Sequence, residues 1–367
     1  MSHSRSPIAS CLLNPRSGWL VAGLLAGLLA AGLLAGSRSL SNAPERASGA
    51  AALAAAANGW LESLAPPQAA KARRPFADPQ RTDWHFVPKF DRKGLPLRDM
   101  TPAQQDRALG LLRGVLSEAG YTKAQVIMHL EELLRVQEGK KAKNVRDPER
   151  YFFTIFGTPS DREPWGLSVE GHHLSFNFTL REGRLVDSTP QFLGANPATV
   201  KTGLPGLPAA GTRILRDEET LAFDLVQSLD EAQRKQALIA AEPPAEIRAA
   251  GAPQPPADPP VGIRRADLRP EQQAILRRIV EAYCSTMADE VAAERLRLID
   301  AAAGGWDAIA FAWSGAMKPG VGHGYRVEGP TFSIEFVNVQ PDAEGNPANH
   351  IHCVWRDRSG DFDLPAR

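Results

Sequence analysis

The sequence predicts an α+β fold: one domain with an antiparallel sheet and segregated helices, preceded by an N-terminal signal or anchor segment. Three observations predict it. Apolar residues recur at helical spacing in blocks at 101–138, 218–239 and 270–303, and short alternating runs lie in separate blocks at 151–180 and 325–356. The two kinds of block are segregated rather than strictly alternating, which disfavours a doubly wound parallel sheet. The composition is that of a globular chain of 367 residues, with 43% hydrophobic and 23% charged residues. It excludes a disordered tail, a collagen and a disulfide-stapled miniprotein. Lys and Arg number 42, as do Asp and Glu, so the surplus of positive charge that nucleic acid requires is absent and no nucleic-acid partner is expected.

Residues 1–36 read as a signal peptide or membrane anchor. No charge occurs between Arg16 and Arg38, and Gly18 to Gly36 is nearly continuous Leu, Ala and Gly behind Arg5 and Arg16. Ala35-Gly36-Ser37 offers small residues for cleavage. Either outcome makes the protein exported, periplasmic or extracellular, with residues 17–36 contacting and anchoring to the inner membrane if uncleaved. Residues 37–72 are Ala-rich and read as a tether, or as an N-terminal helix leaning on the body. The body is 73–367. Cys284 and Cys353 are its two thiols, either one bridge in an oxidising compartment or two buried small side chains.

Along the body, Thr101-Pro102-Ala103-Gln104 starts a helix, with Thr as cap and Gln three residues on, and Gly120-Tyr121 is expected to end it. A second helix is expected from Thr122 to about Glu138. Tyr151 to Phe156 reads as a strand, and Trp165 to Leu180 as strand running through Gly171-His172-His173. Residues 194–212 read as an ordered loop and Glu218 to Ile239 as helix. Residues 242–262 contain seven prolines and read as a loop within the domain rather than a boundary. Pro270 to about Ala303 reads as one long helix or two in series. Tyr325 to Gln340 and His350 to Arg356 read as a hairpin with a long loop.

Four of the eight histidines form two tight groups, His172-His173 and His350-Ile351-His352. On a strand, His350 and His352 share a face about 6.6 Å apart, a spacing from which two imidazoles can converge on one ion. One of His172 and His173 can complete a three-histidine site with an open position for water, and His323 is a further candidate. Glu335, in an otherwise apolar strand, and Asp357 are candidate proton shuttles. Arg356 is a candidate for holding an anionic small-molecule substrate. Serine-hydrolase, P-loop and dinucleotide motifs are absent from the sequence.

Trp165-Gly166, Glu170-Gly171-His172-His173-Leu174-Ser175, Thr189-Pro190-Gln191-Phe192-Leu193-Gly194, Phe311-Ala312-Trp313, Gly329-Pro330 and Asn349-His350-Ile351-His352, followed by Val354-Trp355-Arg356-Asp357, together resemble the domain-of-unknown-function 3500 family over about residues 73 to 363. The resemblance implies a single exported domain and no particular reaction. Asp361-Phe362-Asp363-Leu364 departs from the family's usual ending.

The sequence-based expectation is therefore an exported metal-dependent hydrolase. Its divalent ion, zinc before iron or copper, sits on His172 or His173 together with His350 and His352. Iron or copper redox chemistry at the same ligands and a non-catalytic periplasmic small-molecule binding module are the alternatives.

Overall fold

The structure is a computed structural model describing residues 49–366 apart from residues 90 and 142. The charge-free stretch 18–36, with its expected signal or anchor, lies outside them. Among the described residues no helix is long and apolar enough to cross a membrane. The fold is α+β, as expected: the described residues form eight α-helices and one mixed, mostly antiparallel sheet of thirteen strands.

Of the two readings of 37–72, residues 50–72 take the second. Helix α1 (Ala50–Glu62) buries Leu53, Ala57, Trp60 and Leu61, and α2 (Pro66–Ala72) leads directly into strand β1 (Arg73–Arg74). A fully buried Trp60 belongs to a core and not to a tether. After β2 (Leu95–Pro96), α3 (Pro102–Val115) begins with the expected reciprocal cap: the Gln104 amide N–H donates to Thr101 Oγ1, and Thr101 N–H to Gln104 Oε1.

One helix boundary needs correction. Gly120 does not end α3; it lies in the first turn of α4 (Glu118–Glu138), which Ser117 caps by accepting from Gly120 N–H. Its lack of a side chain is required by packing, because a Cβ there would lie 1.9 Å from the Thr286 carbonyl oxygen.

Strands β3 (Phe152–Gly157), β4 (Trp165–Gly171), β5 (Leu174–Arg181), β6 (Arg184–Asp187) and β7 (Gln191–Ala195) follow. The expected continuous strand through 171–173 is instead a tight hairpin. Gly171 pairs with Leu174, leaving His172 and His173 as the turn, with His173 at φ 64°. The helical block after 216 divides into α5 (Arg216–Ser228) and α6 (Glu231–Ala237), then β8 (Leu238–Ala240). After β9 (Ile263–Arg264), the block from Pro270 is two helices, α7 (Pro270–Cys284) and α8 (Asp289–Ala301). The final hairpin gains two strands, since the run Tyr325 to Gln340 divides and another strand precedes it: β10 (Ala310–Gly315), β11 (His323–Glu328), β12 (Phe332–Asn338) and β13 (Ile351–Asp357).

The strand order β1-β3-β4-β5-β7-β13-β12-β11-β10-β8 reads alike from either end. β1 runs parallel to β3 as β8 does to β10, and β2 pairs antiparallel with β3 as β9 does with β10. Gly157 pairs with Trp165 as Gly315 pairs with His323, and Glu170 with Ser175 in one half corresponds to Glu328 with Ser333 in the other. Helix junctions repeat too. Gln68 Nε2 donates to the Asp99 carbonyl and Gln104 Nε2 to that of Ser63; Gln233 and Gln272 make the same bonds to Asp267 and Ser228. The chain is thus two similar halves, each two pairs of helices and a meander, joined across β7 and β13.

Alternation divides the sheet's faces. Leu167, Phe176, Leu193, Cys353, Trp355 and Ile334 face the helices and the main core. The opposite face carries buried polar groups, among them Ser168, Asn177, Glu335, His352 and Arg356, with a smaller apolar cluster of Trp84, Phe86, Phe192, Ile247, Val354 and Phe362. The stretch before β2 and the Pro-rich loop 242–262 cover this face and are tied together where Trp84 Nε1 donates to the Ala252 carbonyl, 2.7 Å.

Gly120→Ala is expected to lower unfolding stability by roughly 1–3 kcal/mol, because the Thr286 backbone must be displaced. Urea denaturation followed by circular dichroism measures it, and an unchanged midpoint contradicts this packing.

Candidate metal centre

The site is assembled from both halves of the sheet. His173 comes from the β4–β5 turn, where its N–H donates to the Phe86 carbonyl and its carbonyl accepts from Gly194 N–H on β7. His350 immediately precedes β13 and is held by its N–H donating to Asn338 Oδ1. His352 is on β13, opposite Gly194. The side-chain spacing expected for His-x-His therefore holds, and β7 lies between that pair and the third imidazole.

Crossing β7 requires a residue without a side chain. A Cβ on Gly194 would lie 2.9 Å from the ring of His173 and 3.0 Å from the Ile351 carbonyl oxygen. With Gly194 in place, the three Nε2 atoms form a triangle with sides of 2.8 Å (His173–His350), 3.1 Å (His350–His352) and 3.2 Å (His173–His352). At the usual metal–imidazole distance, two cis ligands at a right angle are about 2.9 Å apart and two at the tetrahedral angle about 3.4 Å. The observed sides bracket the first value, so the three nitrogens can occupy one face of a single ion and leave its opposite side open.

Protonation favours the same reading. His352 Nδ1 donates to the Glu246 carboxylate at 2.8 Å, so its Nε2 carries a bare lone pair. Burial, and then the neighbouring His172, His350 and His352, hold the His173 imidazolium well below the usual histidine range. Burial likewise lowers His350 to about 2, with His352 the next cause. Three Nε2 atoms that converge in this way form a ligand set when their lone pairs point inward. Phe86, stacked on Phe192 at 3.8 Å and edge-on to His352 at 5.1 Å, walls one side. His350, only partly buried, is the member nearest solvent.

The remaining sequence candidates go elsewhere. His172 stacks on His173 at 3.7 Å, but its Nδ1 faces Glu131 on α4 with Arg146 alongside, so it backs the site rather than converging on it. His323 lies in the core, stacked on Trp313, its Nδ1–H donating to the Val321 carbonyl. Both oxygens of Glu335 accept from Arg248, at 2.8 Å each. Burial, opposed by Arg248, raises the Glu335 carboxyl. Arg356 is fully buried, bonded to Asp361 and to the Ala249 and Ala252 carbonyls. It pins the Pro-rich loop instead of awaiting an anion. Asp357 accepts from the Ser359 N–H and hydroxyl. Cys284 and Cys353 are separate buried thiols.

Two site residues escaped the sequence reading. Glu246 lies in the Pro-rich loop, where nothing local marks one Glu as the partner of a distant imidazole. Gly194 follows Phe192-Leu193 in a strand, and a glycine inside a strand is a signal for close approach of another group.

Gly194→Ala is expected to push the His173 ring out of the triangle and weaken cobalt(II) or zinc binding at least about tenfold while the protein stays folded. Titration monitored by cobalt absorbance measures it, and unaltered affinity contradicts the three-histidine geometry.

The search of curated proteins found no match, and neither did the search of solved structures. Residues 46–364, most of the chain and all of the elements above from α1 to β13, match the family described as Protein of unknown function (DUF3500), and the chain belongs to that family.

Proposed function

We propose that the protein binds one divalent transition-metal ion through His173, His350 and His352 and uses it to hydrolyse a small-molecule substrate. The observation that carries the metal reading is the Nε2 triangle, none of its sides longer than 3.2 Å, with the Nδ1–H of His352 committed to Glu246. Three imidazoles suit zinc first and iron or copper next. A divalent ion so held supplies Lewis acidity and brings the pKa of a water down to about 7. His350, at the solvent side, borders the approach for substrate. Glu246, with a third of its side chain exposed, fixes the tautomer and orientation of His352. Glu335 and Asp357 have no part in this scheme, because both oxygens of Glu335 are held by Arg248 and Asp357 Oδ1 is held by Ser359. The charge-free stretch 18–36 supports placing this chemistry outside the cytoplasm.

Metal analysis of untagged, full-length protein tests the centre. About one equivalent of zinc, iron or copper is expected, lost in His350→Ala and His352→Ala, with thermal stability raised by added metal and lowered by a chelator. Substoichiometric metal, or unchanged content in the double variant, overturns the reading. Glu246→Ala is expected to weaken affinity about 10- to 100-fold, since it frees the ring that the carboxylate orients. Turnover on a panel of carboxylic and phosphoric esters, abolished by chelation, supports hydrolysis. A metal-loaded protein inert on the whole panel removes hydrolysis and leaves the metal centre.

A further inference from the structure

The two halves of the sheet correspond in strand order and in most of their pairings, so the metal centre has a counterpart at the other end of the β7·β13 seam. Leu193 pairs with Leu174 as Asp357 pairs with Phe332, and Asp187 pairs with Thr179 as His352 pairs with Val337, which matches His352 with Asp187. Thr331 matches His173: the Arg358 N–H donates to the Thr331 carbonyl just as the Gly194 N–H donates to that of His173. At the counterpart, Asp187 and Thr331, with Val186 and Ser188 on either side of Asp187, line a cleft of about 660 Å³, within the range of small-molecule sites.

The cleft contains a buried cation. Arg295 on α8 is 7% exposed and makes no ion pair with a carboxylate among the described residues. Its guanidinium donates to Gln191 Oε1 (2.6 Å), Ser188 Oγ (2.7 Å) and the Ser188 carbonyl (3.2 Å), and lies 4.7 Å from the centre of the Trp355 ring. These bonds use three of its N–H groups and leave others at the cleft wall. An unpaired charge away from water is costly, and an anion is what removes the cost. A second buried polar group is also unmatched: Gln191, 2% exposed, has no partner for its Nε2 among the described residues. Four acidic residues line the cleft. Glu294 is paired with Arg297, Asp187 is raised by burial to about 8 and accepts from the Thr189 and Asp363 N–H groups, Asp357 accepts from Ser359, and Glu290 lies on the first turn of α8. Arg184, Arg297, Thr189 and Thr331 line it as well, and its apolar part includes Leu53, Val115, Leu185, Val291 and Trp355.

We propose that this cleft is a second site, separate from the histidine triangle, which binds an organic carboxylate with an apolar body: the carboxylate on Arg295, the body against Trp355, Val291 and Leu185. It does not depend on a metal at the histidines. Full-length protein titrated calorimetrically with octanoate and with its neutral analogue octanamide tests it. Saturable one-site binding of octanoate is expected, with octanamide at least about tenfold weaker because a charge-assisted bond to Arg295 is lost. Arg295→Met is expected to erase that preference. Leu298→Trp, at a 38% exposed position on the rim, blocks the cleft without touching Arg295 and is expected to weaken octanoate about tenfold with an unchanged unfolding midpoint. Equal binding of the two probes, or octanoate binding indifferent to Leu298→Trp, overturns the proposal. So does the absence of saturable binding.

Discussion

The pairing of β7 with β13, from Gln191 opposite Trp355 to Ala195 opposite Ile351, is the constraint on which the site depends. It joins two meanders that are otherwise far apart in sequence, and it lays Gly194 beside His352 with His173 just beyond. Every contact in the triangle crosses this seam or lies at its end. A second seam supports it on the helical face. Ser117 Oγ donates to the Ser285 carbonyl at 2.5 Å, Ala288 N–H donates to Val115, and α4 passes over Thr286 at Gly120. The two halves thus meet at a sheet pairing and at a crossing of helix junctions. Both need a glycine because backbones approach there more closely than a Cβ allows.

The second face of the sheet is held together by charges rather than by apolar packing alone. Arg248 spans Glu328 and Glu335, Lys93 reaches Glu170, and Arg356 binds Asp361 beneath the Trp84 ring. Each ion pair is buried on at least one side, and each ties a covering segment or the chain's end to a strand. Removing one partner of such a pair strands the other without water, which makes these residues strict positional restraints rather than large net sources of stability. The Pro-rich loop is positioned by Arg248 and by the Ala249 and Ala252 carbonyls on Arg356. Those anchors carry Glu246 to His352. The arginine and glutamate that the sequence suggests as substrate-handling groups act instead by fixing the loop that orients a ligand.

The similarity of the halves makes their differences informative. Glu170 and Glu328 occupy matching positions, and each takes a cation from the covering segment. At the ends of the seam the match fails. One end has three imidazoles over a glycine; the other has Asp187 and Thr331 with Arg358 in the glycine's place. The repeat itself leaves a readable trace: Gly166, Val169, Glu170, Gly171, Ser175 and Phe178 recur as Gly324, Val327, Glu328, Gly329, Ser333 and Phe336. The identities are spread thinly because core positions conserve only volume and polarity, and the local analysis of periodicity does not compare distant blocks.

By itself the sequence determined what backbone stereochemistry settles locally. The α+β class, the cap at Thr101, the helical character of the stretch after Pro270 and the common face of His350 and His352 all follow from periodicity and capping chemistry that extend over a few residues. The tertiary structure alone decided which segments meet. It chose His173 over His172 by turning the chain at Gly171, brought Glu246 from a proline-rich loop, engaged Glu335, Arg356 and Asp357 in other bonds, and made α1 part of the core. The physical reason is that a strand's alternation fixes where a side chain points, whereas its neighbour is set by the register of pairings between segments more than a hundred residues apart. Those pairings are selected by burial summed over the whole sheet.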